Sequence, residues 1–168
     1  MIPASNSLRD ELTDLVGRIC RDNLDGDARR RAEEGEWPAA LWGALEDAGI
    51  LSGLVPESAG GPGIPPAEAW AMMFVLGDAA APVPAAETML ARGLVAQAGV
   101  RPPDGILTIA SAVSPVGLHL HDGAISGRLA RVPHGARAQA VLAIIENEGG
   151  PLLVLVDPAL GQIGRAHV

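Results

Sequence analysis

Two incompatible hydrophobic periods divide this chain, and they change over at Arg101-Pro102-Pro103-Asp104-Gly105. Before that stretch, apolar residues recur every three or four positions, as one face of a helix requires. After it they come in short continuous or alternating runs, bounded by Gly, Pro, Asp and Asn, as strands require. Helices first and strands second, with a Pro/Gly-rich connection between them, predicts an α+β protein. The expected units are a helical bundle domain over residues 1–100 and the start of an antiparallel β-barrel or sandwich domain over 105–161.

The first helix is predicted to open at Ser7, because Ser7 and Asp10 form an S-x-x-D capping pattern that satisfies free backbone N–H groups. Leu8, Leu12, Leu15 and Ile19 give it one apolar face, and Arg9, Asp10, Glu11, Asp14 and Arg18 cover the other. Arg29, Arg30 and Arg31 have the look of a phosphate-binding patch, but Glu33, Glu34 and Glu36 follow at once, which predicts a solvated face. A second helix starts near Pro38 and closes at Gly49, burying Leu41, Leu45 and Ala48. Pro65 and Pro66 launch a third over 67–80. It is apolar nearly all round through Trp70, Met72, Met73, Phe74, Val75 and Leu76, and so is expected to be buried in a bundle, its Met pair as core. A fourth covers 85–98 and stops at Gly99. The strand signals lie at 106–113, 117–121, 124–132, 140–145 and 152–156, with His121-Asp122-Gly123 as a hairpin turn.

At 168 residues and 48% hydrophobic content, the chain can fill one core or two small ones. Its net charge of -8 argues against nucleic acid or an anionic membrane surface as partner, since both demand a basic face. Every basic residue is Arg and Tyr is absent, the accent of GC-rich coding. The lone Cys20 excludes a disulfide framework and reads as a buried, inert thiol. No leader pattern or bilayer-length apolar run is visible, so no membrane insertion and a cytoplasmic location are expected. The last seven residues, Gln162-Ile163-Gly164-Arg165-Ala166-His167-Val168, can be encoded by CAG ATC GGA AGA GCA CAC GTC, which reads as the start of a common sequencing adapter. Residues 162–168 are therefore set aside as an artefact, and the natural sequence is expected to stop being represented near Gly161.

Residues 41–90 hold an ordered series of small motifs: Ala48-Gly49-Ile50, Val55-Pro56-Glu57, Gly60-Gly61-Pro62-Gly63, an apolar helix, and Pro84 to Thr88 as the approach to the next helix. In order and spacing this resembles the amino-terminal half of the acyl-CoA dehydrogenase family, with a looser likeness to about residue 160. The resemblance implies a helical domain followed by a β domain, FAD as cofactor, an acyl-CoA substrate, an electron-transfer acceptor and a homo- or hetero-oligomer. It implies oxidation of the α,β bond of the thioester: a carboxylate removes the α proton while hydride leaves the β carbon for the flavin. The family places that carboxylate in a carboxy-terminal helical domain not represented here, so no catalytic residue is assigned and the chain by itself is expected to be inactive. Two other readings stand beside it. One is a non-catalytic partner subunit of a heteromeric acyl-CoA dehydrogenase, and the other is a helical plus β module of unrelated function.

By the same resemblance, two strand motifs of the β domain approach the flavin: a Thr-Glu-Pro end, aligned with Val113-Ser114-Pro115, and a Trp-Ile-Thr strand, aligned with Arg131-Val132-Pro133. The candidate cofactor-binding residues are thus Ser111, Ser114, Arg131 and Val132. The departures matter chemically: Val113 has no hydroxyl, and Pro133 has neither hydroxyl nor backbone N–H. Gly60-Gly61-Pro62-Gly63 has no Lys-Ser/Thr partner and carries a proline where a phosphate cradle needs a donor, so it reads as a turn. His119 and His121 share one strand face without the further ligands a metal demands, and are expected to face solvent. His134 sits within the second motif and reads as a loop polar residue.

Overall fold

A computed structural model of the protein describes residues 7–110, 118–121, 124–147 and 149–160. Among the described residues five α-helices lead: α1 (Leu8–Asn23), α2 (Gly26–Glu33), α3 (Ala39–Asp47), α4 (Pro66–Asp78) and α5 (Ala85–Gln97). Among them too, five strands follow: β1 (Leu107–Ile109), β2 (Leu118–His121), β3 (Ala124–Gly127), β4 (Ala140–Asn147) and β5 (Gly150–Val156).

The expected cap of α1 is formed reciprocally. The Asp10 amide donates to Ser7 Oγ at 3.3 Å and the Ser7 amide to Asp10 Oδ2 at 3.2 Å, an arrangement that contributes about 1 kcal/mol. Its buried face is Val16, Ile19 and Cys20, with Leu12 and Leu15 half-buried. Leu8 is 51% exposed, a correction to the expected stripe, because the first turn projects beyond the packed part of the helix. Residues 26–33 form a helix of their own, begun by Asp25, whose Oδ1 accepts from the Ala28 amide at 2.7 Å. The face expected to be solvated is charge-paired: Arg30 meets Asp27 at 3.2 Å and Glu34 at 3.4 Å, and Arg31 meets Glu36 at 3.4 Å. Arg29 instead donates to the Ala79 carbonyl at the end of α4, where a cation complements the helix dipole.

Gly49 closes α3 in the left-handed region at φ 72°, and Leu41 and Leu45 are fully buried. Ala48, expected beside them, is exposed because α3 ends at Asp47. The larger correction concerns α4. It buries Ala69, Met72 and Leu76 against α1, but Trp70 is 60% and Phe74 78% exposed. One neighbouring helix covers one side of a cylinder, and the i, i+4 pair Trp70 and Phe74 lies on the other.

The sheet is mixed, whereas the strand signals predicted antiparallel pairing throughout. β4 runs antiparallel to β5 from Val141↔Val156 to Asn147↔Gly150, but parallel to β1 (Leu107↔Ala140) and to β2 (His119↔Glu146). One long strand thus has β5 along one edge and shares the other between β1 at its start and β2 near its end. β2 and β3 form the expected antiparallel hairpin, with His121 opposite Ala124; the turn residues Asp122 and Gly123 lie outside the described residues. Residues 128–132, expected to continue the third strand, belong instead to the loop that runs to residue 139, since β3 ends at Gly127.

Three apolar clusters result. The first joins α1, α3, α4 and the start of α5. The second lies on one sheet face under Trp37, Trp42, Leu129 and Val132. The third packs Ala91 and Val95 of α5 against Leu107, Ala140 and Leu142 of the sheet. Helix α5 therefore belongs to both halves of the fold.

Candidate functional site

The junction between α5 and the sheet gives two of the sequence motifs their physical meaning. Thr88, fully buried, donates from Oγ1 to the Leu107 carbonyl at 2.7 Å and accepts from the Leu107 amide at 3.3 Å. A threonine in the first turn of α5 thereby fixes the start of β1. One turn later, Arg92 is 4% exposed and spans three elements. It donates to Glu46 Oε1 of α3 at 2.7 Å, to Ser52 Oγ at 3.0 Å and to the Gly105 carbonyl at 2.9 Å. Among the described residues, Arg92 Nε and Glu46 Oε2 are buried without a partner, so the pair holds geometry at some electrostatic cost. Sequence reading passed over Arg92; a single Arg one turn after a helix-initial Thr, on an apolar helix face, was the available signal. Across the same junction, the Ile106 amide donates to Gln139 Oε1 at 2.6 Å and the Gln139 amide to the Ile106 carbonyl at 2.8 Å.

The glycine-rich loop is a turn, as expected. Its Gly61 amide donates to Pro56 O and its Gly63 amide to Val55 O, so these donors are turned inward and unavailable to a phosphate. A Cβ on Gly61 would lie 2.2 Å from the Val55 carbonyl oxygen, which is why only glycine fits there.

The loop between β3 and β4 carries the two candidate cofactor residues that lie among the described ones. Arg131 is exposed with φ 55°, and His134 is exposed with φ 50°. Val132 packs inward on the second cluster. The Pro133 carbonyl accepts from Thr108 Oγ1 at 2.7 Å, and the Gly135 amide donates to the Val132 carbonyl. His134 meets Trp37 edge-on at 6.1 Å, Trp37 meets Trp42 at 5.5 Å, and the Arg137 guanidinium lies 5.6 Å over the Trp37 ring while donating to the Gly35 carbonyl. The loop is pinned to both the sheet and the α2–α3 connection. The Val132 and Pro133 carbonyls are directed into the protein, and Pro133 itself offers neither a hydroxyl nor an N–H to a flavin ring edge. Ser111 and Ser114, with Val113 and Pro115, lie outside the described residues.

His119 and His121 are exposed on β2, opposite Ser126 and Ala124. Among the described residues no group of three or more His, Cys, Asp or Glu is placed to hold a metal, and no helix is long and apolar enough to cross a membrane. An apolar cavity of about 210 Å³ lies between the end of α4 and the start of α5, lined by Met73, Leu76, Ala81 and Val83 with Glu87 at its edge. Met72 is core, as expected of the pair, while Met73 is half-buried and faces this cavity.

Cys20 is buried in α1. Burial pushes its thiol pKa above the ordinary value, against the opposing pull of Arg29 and Arg21. The unfolded chain therefore ionises first at alkaline pH, and this group's effect is to lower stability as pH rises past the unfolded thiol's pKa. A thiol reagent at pH 8 is expected to label the native protein at least about tenfold more slowly than the urea-unfolded chain; equal rates would contradict the buried placement.

Comparison with known proteins adds four findings. The family described as acyl-CoA dehydrogenase, N-terminal domain, matches residues 7–101. A curated protein, acyl-CoA dehydrogenase FadE27 of Mycobacterium tuberculosis, is 34% identical over 145 residues, covering 75% of this chain and 38% of that protein. The crystal structure of the ChsE4-ChsE5 complex from Mycobacterium tuberculosis contains a chain that matches with TM-score 0.72 and 28% identity, over 94% of this chain and 49% of that one. A Tcur3481-Tcur3483 steroid ACAD variant matches with TM-score 0.71 and 27% identity, over 89% and 48%. The chain thus spans less than half the length of each of these relatives.

Proposed function

This chain belongs to the acyl-CoA dehydrogenase family, and from that premise we propose that it forms the front of an FAD-dependent oxidoreductase that oxidises the α,β bond of an acyl-CoA thioester. Residues 1–100 act as its helical domain and 105–161 as the opening of its β domain, with 162–168 a sequencing artefact outside both. The observation that carries this reading is the continuity of the family match over 7–101 with a sheet docked on α5 through Thr88 and Arg92. The base, a carboxylate, comes from a further helical domain. The protein works in the cytoplasm and passes electrons to an electron-transfer acceptor. The steroid dehydrogenase among the matched structures supports a polycyclic acyl group over a short linear one.

A second reading is favoured by one observation. Pro133, where the family pattern places a hydroxyl near the flavin, has no N–H and has its carbonyl engaged by Thr108. A chain of that kind serves well as the non-catalytic partner in a heteromeric dehydrogenase, and one of the matched structures is a complex of two components.

The purified 168-residue chain is expected to give no turnover of a steroid or fatty acyl-CoA with an artificial electron acceptor. Turnover above the no-protein control would overturn the assignment of the base elsewhere. Reading the source locus past the codon for Leu160 separates the two roles. A further helical domain bearing a Glu supports the enzyme, and one without it supports the partner.

A further inference from the structure

We propose that the outer face of α4 is a self-association surface, on which a second copy of this chain lays its own α4 antiparallel. The inference stands apart from the dehydrogenase reading, since it uses no cofactor or substrate.

Spacing and exposure define the face. Ala67, Trp70, Phe74 and Gly77 recur at intervals of three, four and three, and all are exposed. At the helical turn per residue they fall within an arc of about 80°. The buried Ala69, Met72 and Leu76 lie on the opposite side, against α1. Trp70 and Phe74 are the two most exposed large apolar side chains among the described residues, and Phe74 is the chain's single phenylalanine. The strip carries no charge, and aromatic residues with charge excluded are the composition of an interface centre. A helix apolar nearly all round is stable when enclosed on every side, and within this chain α4 has only half of that cover.

Self-complementarity selects the occupant. Turned end for end about a two-fold axis level with Met72, the strip meets itself: Trp70 faces Phe74 of the second copy, and Ala67 faces its Gly77. The spacing is that of the a and d positions of a packed helix pair. Gly77 gains a reason from this arrangement that the single chain does not supply. It lies inside α4, where glycine is costly, and a Cβ there would meet nothing within 4 Å. Beside the central rings, the small residues at both ends of the strip leave room for the aromatic side chains of the other copy. Charge agrees with the orientation. Asp78 ends α4 at the negative pole of its own helix, and the same rotation sets it beside Pro66 of the second copy, at the positive pole of that helix. The four rings together remove roughly 500 Å² of apolar surface from water. With the flanking residues, the contact lies at the low end of specific interfaces, which predicts a dissociation constant on the order of 10 μM.

The test is sedimentation equilibrium of the full 168-residue chain from about 1 to 200 μM, a range that brackets that constant. Monomer and dimer in equilibrium are expected. Phe74→Glu, which would place a carboxylate against the Trp70 ring of the other copy, is expected to weaken the dimer at least about tenfold. Gly77→Leu separates association from folding. Its side chain meets open space in the single chain, so the urea midpoint stays at or above that of the unchanged protein, while the dimer weakens about tenfold because the helices can no longer approach. Leu153→Ser, at the exposed apolar part of the sheet, is expected to leave the dimer unchanged. Circular dichroism verifies that each variant folds. A chain that stays monomeric over the whole range overturns the proposal, as does a dimer that either α4 variant leaves intact. Loss of the dimer on Leu153→Ser would assign association to the sheet and overturn it as well.

Discussion

Replacing Arg92 with methionine is expected to lower the unfolding free energy by about 3 kcal/mol, near the low end of the range for breaking a buried ion pair. The guanidinium is 5% exposed, but Glu46 keeps 35% of its side-chain surface in water and can recover part of its hydration. Methionine fills much of the volume, so the loss reports on hydrogen bonds to Glu46, Ser52 and the Gly105 carbonyl and not on a cavity. Glu46→Gln is expected to lose less, since an amide oxygen still accepts from Arg92. Urea denaturation of the two single variants and the double variant gives their coupling. If Arg92→Met changes the unfolding free energy by less than about 1 kcal/mol, the role assigned to Arg92 in tying α3 and α5 to the start of the sheet is wrong.

Gly61→Ala is expected to destabilise by roughly 3 kcal/mol, the upper end for overpacking. The added Cβ would stand 2.2 Å from the Val55 oxygen and 2.4 Å from its Cβ, and neither of these can swing aside as a flexible side-chain end can. Gly60→Ala is the informative companion. Gly60 has φ 82° but open space around its Cβ position, so alanine there meets only the left-handed backbone penalty of about 1–2 kcal/mol. The expected order is a larger loss at Gly61 than at Gly60, read from the midpoints of urea unfolding. The reverse order would mean that this loop is governed by backbone torsion alone and not by its approach to Val55.

Much of the fold was legible because it depends on short-range chemistry. The Ser7/Asp10 cap, the end of α3 at Gly49, the launch of α4 after two prolines and the stop at Gly99 all follow from backbone groups that near neighbours must satisfy. The family resemblance was legible for the same reason: its motifs are turns and helix ends, and Gly61 can be recognised as a turn glycine before its contact is known. The α4 expectation failed where local pattern stopped deciding. Trp70 and Phe74 are as apolar as Met72 and Leu76, and only the number of neighbouring elements determines which of them are covered.

The site divides in the same way. The chemical departure at Pro133 needed only the residue type, since proline has no amide hydrogen in any fold. That Arg131 leaves the strand for a left-handed loop conformation, that Val132 turns inward, and that the Pro133 carbonyl is engaged by Thr108 are consequences of where β3 ends and of contacts 25 residues apart. By itself the sequence determined the starts of α1, α3, α4 and α5, turn chemistry, the family and the missing hydroxyls, all set by steric and hydrogen-bonding limits within a few residues, while α2 over Gly26–Glu33 went unmarked. Tertiary structure alone decided that β4 pairs in parallel with β1 and β2 on one edge and that Arg92 becomes a buried tie. Those outcomes depend on which distant segments compete to bury the same surface, and no local period encodes that competition.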